Sequence, residues 1–218
     1  MSYRAHFAPL LSAAERTLFR KLSSPHKIQD YLDSLPINFE TSGETYFSPR
    51  RVIREGVAHC FEGALLAAAA LAWHDSEPLI MDLKTAKSDT DHVVTLFRHG
   101  RHWGAMSKTN HSVLRWRDPV YASPREIAMS YFHEYFLSPS GKKTLRSYSA
   151  PFSLAHVKTE RWLTAEEDLH WLALALDGAR HFPTVPEGAM RLLRRASKIE
   201  IEASDMIEWR STTDNPYK

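Results

Sequence analysis

From Ala64 to Trp73 the chain reads ALLAAAALAW, its longest apolar stretch. Alanine and leucine favour helix, so the run predicts a central helix that other elements must cover. It is far too short to be a membrane span, which needs roughly 20 apolar residues. The segment just before it, EGVAHCFEG, places the chain's only cysteine, Cys60, at the helix start. There, unsatisfied backbone N–H groups and the helix dipole favour an anion and lower a thiol pKa.

Downstream of His74 the texture becomes that of a sheet. PLIMDLK reads as a buried strand and AKSDTD as a polar loop. HVVTLF and HWGAMS read as strands around RHGR, whose Gly100 suits a tight hairpin turn. SVLRWR is a further strand candidate, ended by Asp118-Pro119. SPREIAMSYFHEYFL predicts a helix with Ser123 as N-cap, Pro124 at its first position, and Ile127, Tyr131 and Tyr135 on one face. Upstream, residues 10–35 carry helical spacing broken at Ser24-Pro25, and INFETSGETYFSP is a structured loop. Past SPSGKKTLRSYSAPFSL (138–154) the pattern is helical again. TAEEDLHWLALALDGARHF starts with Thr164 and Glu167 as a capping box, and PEGAMRLLRRASKIEIEASDMIEW makes one or two more helices. Helices, then an antiparallel sheet, then helices, argue an α+β fold. Residues 1–150 form the core with its N-terminal helices, and 151–218 a C-terminal helical extension packed on it.

Charge and cysteine usage narrow the function classes. Lys and Arg number 28 against 26 Asp and Glu, which gives no electrostatic footprint for nucleic acid or an anionic membrane. The basic face of Arg191, Arg194 and Arg195 is balanced by Glu200, Glu202 and Glu208. One cysteine excludes an internal disulfide framework and a multi-Cys zinc site, and the N-terminal residues lack an apolar core suited to export. A cytoplasmic protein without metal or cofactor is expected. His99, His102 and His111 lack the partners of a zinc motif, and FHEYF lacks the second His of H-E-x-x-H. Trp162, Trp171 and Trp209 are expected to anchor the helical tail.

A thiol nucleophile near neutral pH needs a base, usually an imidazole oriented by a third polar group. Among the twelve histidines, His92 suits the role because it opens a strand just after a polar loop. A helix carrying Cys60, packed on that sheet, would bring the two together. His59, next to Cys60, is expected to point elsewhere.

GVAHCFEGA (56–64), His92 with VVTLF, and WRDP (116–119), in this order, resemble the transglutaminase-like superfamily, whose core is related to that of papain-like cysteine proteases. IQDYLDSLP looks like the helix preceding the nucleophile there. The resemblance covers roughly residues 27–121. It implies a papain/transglutaminase-like core, with Cys60 as nucleophile and His92 as general base and acid. The third residue has several candidates. Asp118 stands in the family-like W-x-D-P ending, and a carboxylate stabilises imidazolium better than an amide does. Asn110 would match the Asn of papain-like enzymes. If RHGR is a four-residue turn, Ser107 lies directly opposite His92. The implied activity is acyl transfer from an amide or peptide bond of a peptide or protein substrate, hydrolytic rather than crosslinking. Its oxyanion would be met by the Cys60 backbone N–H, with no side-chain donor evident upstream, where Arg54 stands. The alternative is a non-catalytic peptide- or protein-binding module on the same fold.

Overall fold

The computed structural model describes residues 2–157 and 160–211. Four short helices come first: α1 (Tyr3–Phe7), α2 (Ala13–Lys21), α3 (Pro25–Ser34) and α4 (Pro49–Glu55). Ser12, Ser24 and Ser48 cap the last three through their side chains, and proline follows the cap in α3 and α4, where its missing N–H matters least. α4 ends at Gly56, whose φ of 69° is the left-handed geometry glycine supplies without strain. The chain then turns into α5 (Cys60–Trp73), in which Phe61 through Trp73 are all buried. Helices α1 to α4 cover it on one side and the sheet on the other. A helix of small residues tolerates such wrapping because neighbours can approach its axis. At Gly63 an added Cβ would sit 2.6 Å from the Lys108 Cβ, so that approach requires glycine.

The sheet is antiparallel throughout. Its strands are β1 (Leu79–Thr85), β2 (His92–His99), β3 (His102–Met106) and β4 (Arg117–Tyr121), which lie side by side in the order β4-β3-β2-β1. Beyond helix α6 (Pro124–Tyr131) and the small hairpin of β5 (Phe136–Leu137) and β6 (Lys142–Lys143), β7 (Leu145–Ser149) and β8 (Phe152–Ser153) both pair with β1. Helices α7 (Arg161–Thr164) and α8 (His170–Asp177) follow, and then β9 (His181–Pro183) pairs with β7. Alternation along the strands divides the core into two. Ile80, Val93, Phe97 and Met106 face α5. Met81, Leu83, Val94 and Leu96 face α6 with Ile127, Tyr131 and Tyr135. The result is an α+β fold in which the Cys-bearing helix packs on an antiparallel sheet, with helical segments towards the C-terminus.

Several local expectations are corrected. The strand expected at SVLRWR forms later, at Arg117–Tyr121, and tolerates Pro119 because it is an edge strand. The helix expected through Leu137 stops at Tyr131. Thr164 ends α7 instead of capping a long helix, and Glu167 pairs with Arg161 instead of forming a capping box. Past Gly188 the expected long helices shrink to a 3-10 turn, Ala189–Leu192, and α9 (Lys198–Ser204). TLRSYS supplies β7. Residues beyond 150 thus contribute two strands, β8 and β9, to the main sheet. Among the described residues no helix is long and apolar enough to cross a membrane.

Candidate active site

His59, the residue before Cys60, is the N-cap of α5, and its Nδ1 accepts the Phe61 N–H at 3.3 Å. Glu62 closes a capping box by accepting the His59 N–H at 3.0 Å. The Glu62 carboxylate is fully buried yet saturated with donors: Thr45 Oγ1 at 2.9 Å, Phe47 N–H at 3.0 Å and Asn38 Nδ2 at 3.1 Å add to that of His59. Cys60 itself is partly exposed, and its place at the first helical position leaves its backbone N–H outside the helix ladder.

His92 opens β2 and is buried. Its Nε2 donates to Ser107 Oγ at 2.7 Å, and that hydroxyl in turn donates to the Leu114 carbonyl. The relay puts the ring proton on Nε2, and the Cys60 thiol, which lines the same cleft, feels this ring. Both ends of the relay are braced. Gln29 of α3 accepts the Ser107 N–H at 3.0 Å and donates to its carbonyl at 2.8 Å. Leu114 sits at a φ of 62°, an uncommon conformation for a branched side chain, and its N–H is held by Glu134 at 2.6 Å.

Two imidazoles therefore act on one thiol. Burial alone would push Cys60 up, but hydrogen bonds and charge from His59 and His92 overcome it and hold the thiol well below its ordinary value. Burial likewise opposes charge on His59, yet the Cys60 sulfur, Glu62 and the Thr45 carbonyl raise it to about 9. The neutral His59 ring caps the helix through Nδ1 and donates from Nε2 to the Thr45 carbonyl at 2.9 Å.

His92 Nε2 is hydrogen-bonded to Ser107, and not to Asp118 or Asn110. The hairpin turn is tighter than the four residues expected, since His99 already pairs with His102. That shift places Ser107 diagonally across from His92 on the same face, still within reach of a side chain. Asp118 lies on β4, where Arg117 opposes Ala105, which in turn opposes Leu96, well along the sheet from His92. Its exposed carboxylate accepts from Trp116 Nε1 at 2.9 Å. Asn110 lines the same cavity as Cys60 and His92, but its side chain clamps the C-terminal segment, donating to the Trp209 carbonyl at 2.8 Å and accepting the Trp209 N–H at 2.7 Å. His59 is the participant that sequence reading missed. Its signal was present in the H-x-x-E spacing of a capping box, which turns the cap side chain back over the first helical turn.

Cys60 stands where two clefts meet. One, of about 440 Å³, runs past His92, Asn110 and Tyr135 to Asp205. The other, of about 560 Å³, runs between Tyr46 and Phe61 towards His170 and Asp177. In the second, Asp82, Asp91 and Asp177 bring carboxylate oxygens within 4.8 Å of one another. Protein groups already answer them: His181 bonds Asp82 at 3.0 Å, Thr85 N–H bonds Asp91 at 2.6 Å, and Lys84 pairs with Asp177. Burial lifts Asp82 to about 6 against the opposing pull of His181.

Lys108, on the wall of the first cleft, is almost wholly buried, and its Nζ donates to the Leu35 carbonyl. Burial, only partly offset by Glu208 and Asp33, lowers it to about 8. The unfolded chain therefore holds this proton up to a higher pH than the folded one, so stability rises with pH across that window. In chemical denaturation the wild type should gain about 2 kcal/mol relative to Lys108→Met between pH 7 and 9.5. The same pH dependence in both proteins would mean that Lys108 does not titrate in this window.

A scan against protein-family models finds none that matches the chain, and a search of curated proteins finds no match either.

Proposed function

We propose that the protein is a cysteine-dependent acyl-transfer enzyme of transglutaminase-like type, acting on an amide or peptide bond and releasing the acyl group to water. The observation that carries this reading is the Cys60 thiol at a helix N-terminus, partly exposed, with His59 and His92 both acting on it. The Cys60 sulfur attacks the carbonyl carbon, forming a C–S bond while the carbonyl electron pair moves to oxygen. Collapse of the adduct expels the amine, which takes a proton from the His92 imidazolium. His92 then removes a proton from water, whose oxygen attacks the thioester and releases the acid and the thiolate. The cleft on either side of Cys60 suits a substrate that continues beyond the scissile bond in both directions, as a peptide does.

The Ser107 hydroxyl orients His92 but carries no negative charge to stabilise imidazolium, and this favours a second reading, a peptide-binding module with a vestigial nucleophile. Trapping separates the two. The folded protein, mixed with p-nitrophenyl acetate and quenched in acid, should carry an acetyl group on the Cys60 peptide, lost with time as water turns the thioester over. Because Cys60 is the only cysteine, Cys60→Ser is a complete control. If acetylation needs unfolding, the binding reading stands and the catalytic one falls.

A further inference from the structure

The first cleft contains a polar group that no contact in the fold explains. Tyr135 follows α6, is buried to all but 3 % of its surface, and lines the same cavity as Cys60 and His92. Its hydroxyl is sealed from water and has no hydrogen-bond partner among the described residues. Buried phenols ordinarily find a partner, and apolar neighbours such as Phe132 would accommodate phenylalanine at this position. The hydroxyl is near enough to Cys60 for the sulfur's charge to act on it, and burial together with that charge holds its pKa well above the ordinary tyrosine value. The group therefore keeps its proton and is available only to a ligand that brings an acceptor.

We propose that the Tyr135 hydroxyl is the side-chain hydrogen-bond donor to the carbonyl oxygen of a ligand bound at Cys60, and so completes an oxyanion site with the Cys60 backbone N–H. The inference rests on the acyl-transfer reading in one respect, that the oxygen becomes charged during reaction. It supplies the side-chain donor that the residues before Cys60 lack. As the carbonyl electron pair moves to oxygen, a donor fixed beforehand stabilises the new charge without reorganisation, and losing one such donor lowers rates by about a hundredfold or more.

The test is Tyr135→Phe, read in four ways. Folding should be intact and Tm unchanged or higher, because the substitution removes a buried hydroxyl that lacks a partner. Alkylation of Cys60 by iodoacetamide, which builds no charged oxygen, should proceed at the wild-type rate. Acetylation by p-nitrophenyl acetate should slow by about a hundredfold. A small peptide aldehyde, which adds to the thiol to give a hemithioacetal, should bind at least tenfold more weakly to the variant. Equal loss of alkylation and acetylation would overturn the proposal, because the hydroxyl would then be shaping the thiol. Aldehyde binding of equal strength in the two proteins, or none to the wild type, would overturn it also. If the wild type binds aldehyde and Tyr135→Phe weakens it, while neither protein acetylates, the donor stands and the acyl-transfer reading falls.

Discussion

His92→Ala slows acylation of Cys60 by a peptide p-nitroanilide, whose leaving group is an amine, by roughly a thousandfold, while iodoacetamide alkylation near pH 6 falls by only about tenfold. The gap follows from the arrangement of the two imidazoles. His59 and His92 both lower the thiol pKa, so His59 alone retains part of the thiolate when His92 is removed. A thiolate of lower pKa is also a weaker nucleophile, which compresses the alkylation difference further. Proton delivery to a leaving amine cannot be shared in this way. His92 lines the cleft beside Cys60 with its Nε2 proton committed to Ser107, whereas the His59 ring is tied to Thr45 and the helix cap. Replacing both histidines should give an ordinary thiol profile, with alkylation rising about tenfold per pH unit up to the usual thiol range near 8.5. The wild type should be nearly flat over the same range. Rates for anilide acylation and alkylation that fall in parallel in His92→Ala would show that His92 acts only as a charge.

Glu62→Leu destabilises the fold by roughly 3–5 kcal/mol, enough to unfold a marginal domain near physiological temperature. The carboxylate is fully buried and accepts from Asn38, Thr45, Phe47 and His59. A leucine matches its volume but leaves all those donors without an acceptor, and unmade buried hydrogen bonds cost more than made ones contribute. Glu62→Gln should fall between, since its amide oxygen still accepts while its NH2 group meets other donors head-on. Urea denaturation of the three proteins, followed by tryptophan fluorescence, gives the order. A Glu62→Leu protein within about 1 kcal/mol of wild type would mean that water replaces the carboxylate. The hub joins the loop of residues 38–47 to the helix start, so the same substitution should also release His59 from its place beside Cys60.

What could be read from the sequence was set by local rules, and what could not was set by pairing across the fold. The central helix was legible because ALLAAAALAW has one backbone preference, and the hairpin because strand alternation brackets Gly100. That Cys60 and His92 line one cleft was legible because a helix start and a strand start are both local features. Ser107 was left open with Asp118 and Asn110 because a turn shortened by two residues changes every cross-strand neighbour. His59 was set aside on adjacency, although its ring is directed by the cap and not by its distance along the chain. Tyr135 was placed on a helical face with Ile127 and Tyr131, but α6 ends before it, and nothing local marks that stop. The C-terminal third misled because apolar spacing there serves short elements that lean on the sheet.

The burial of α5 on every side sets a timescale for the site. Amide protons along Leu65–Ala72 can meet solvent only when the surrounding helices and the sheet come apart together, so their deuterium uptake should track global unfolding. The loops around Thr90 and Ser138 and the segment near Asp205, which border the cleft over Cys60, should take up deuterium far sooner. Ligand capture can then proceed by movement of the cleft's rim over a nucleophile whose own platform stays still for the lifetime of the native state.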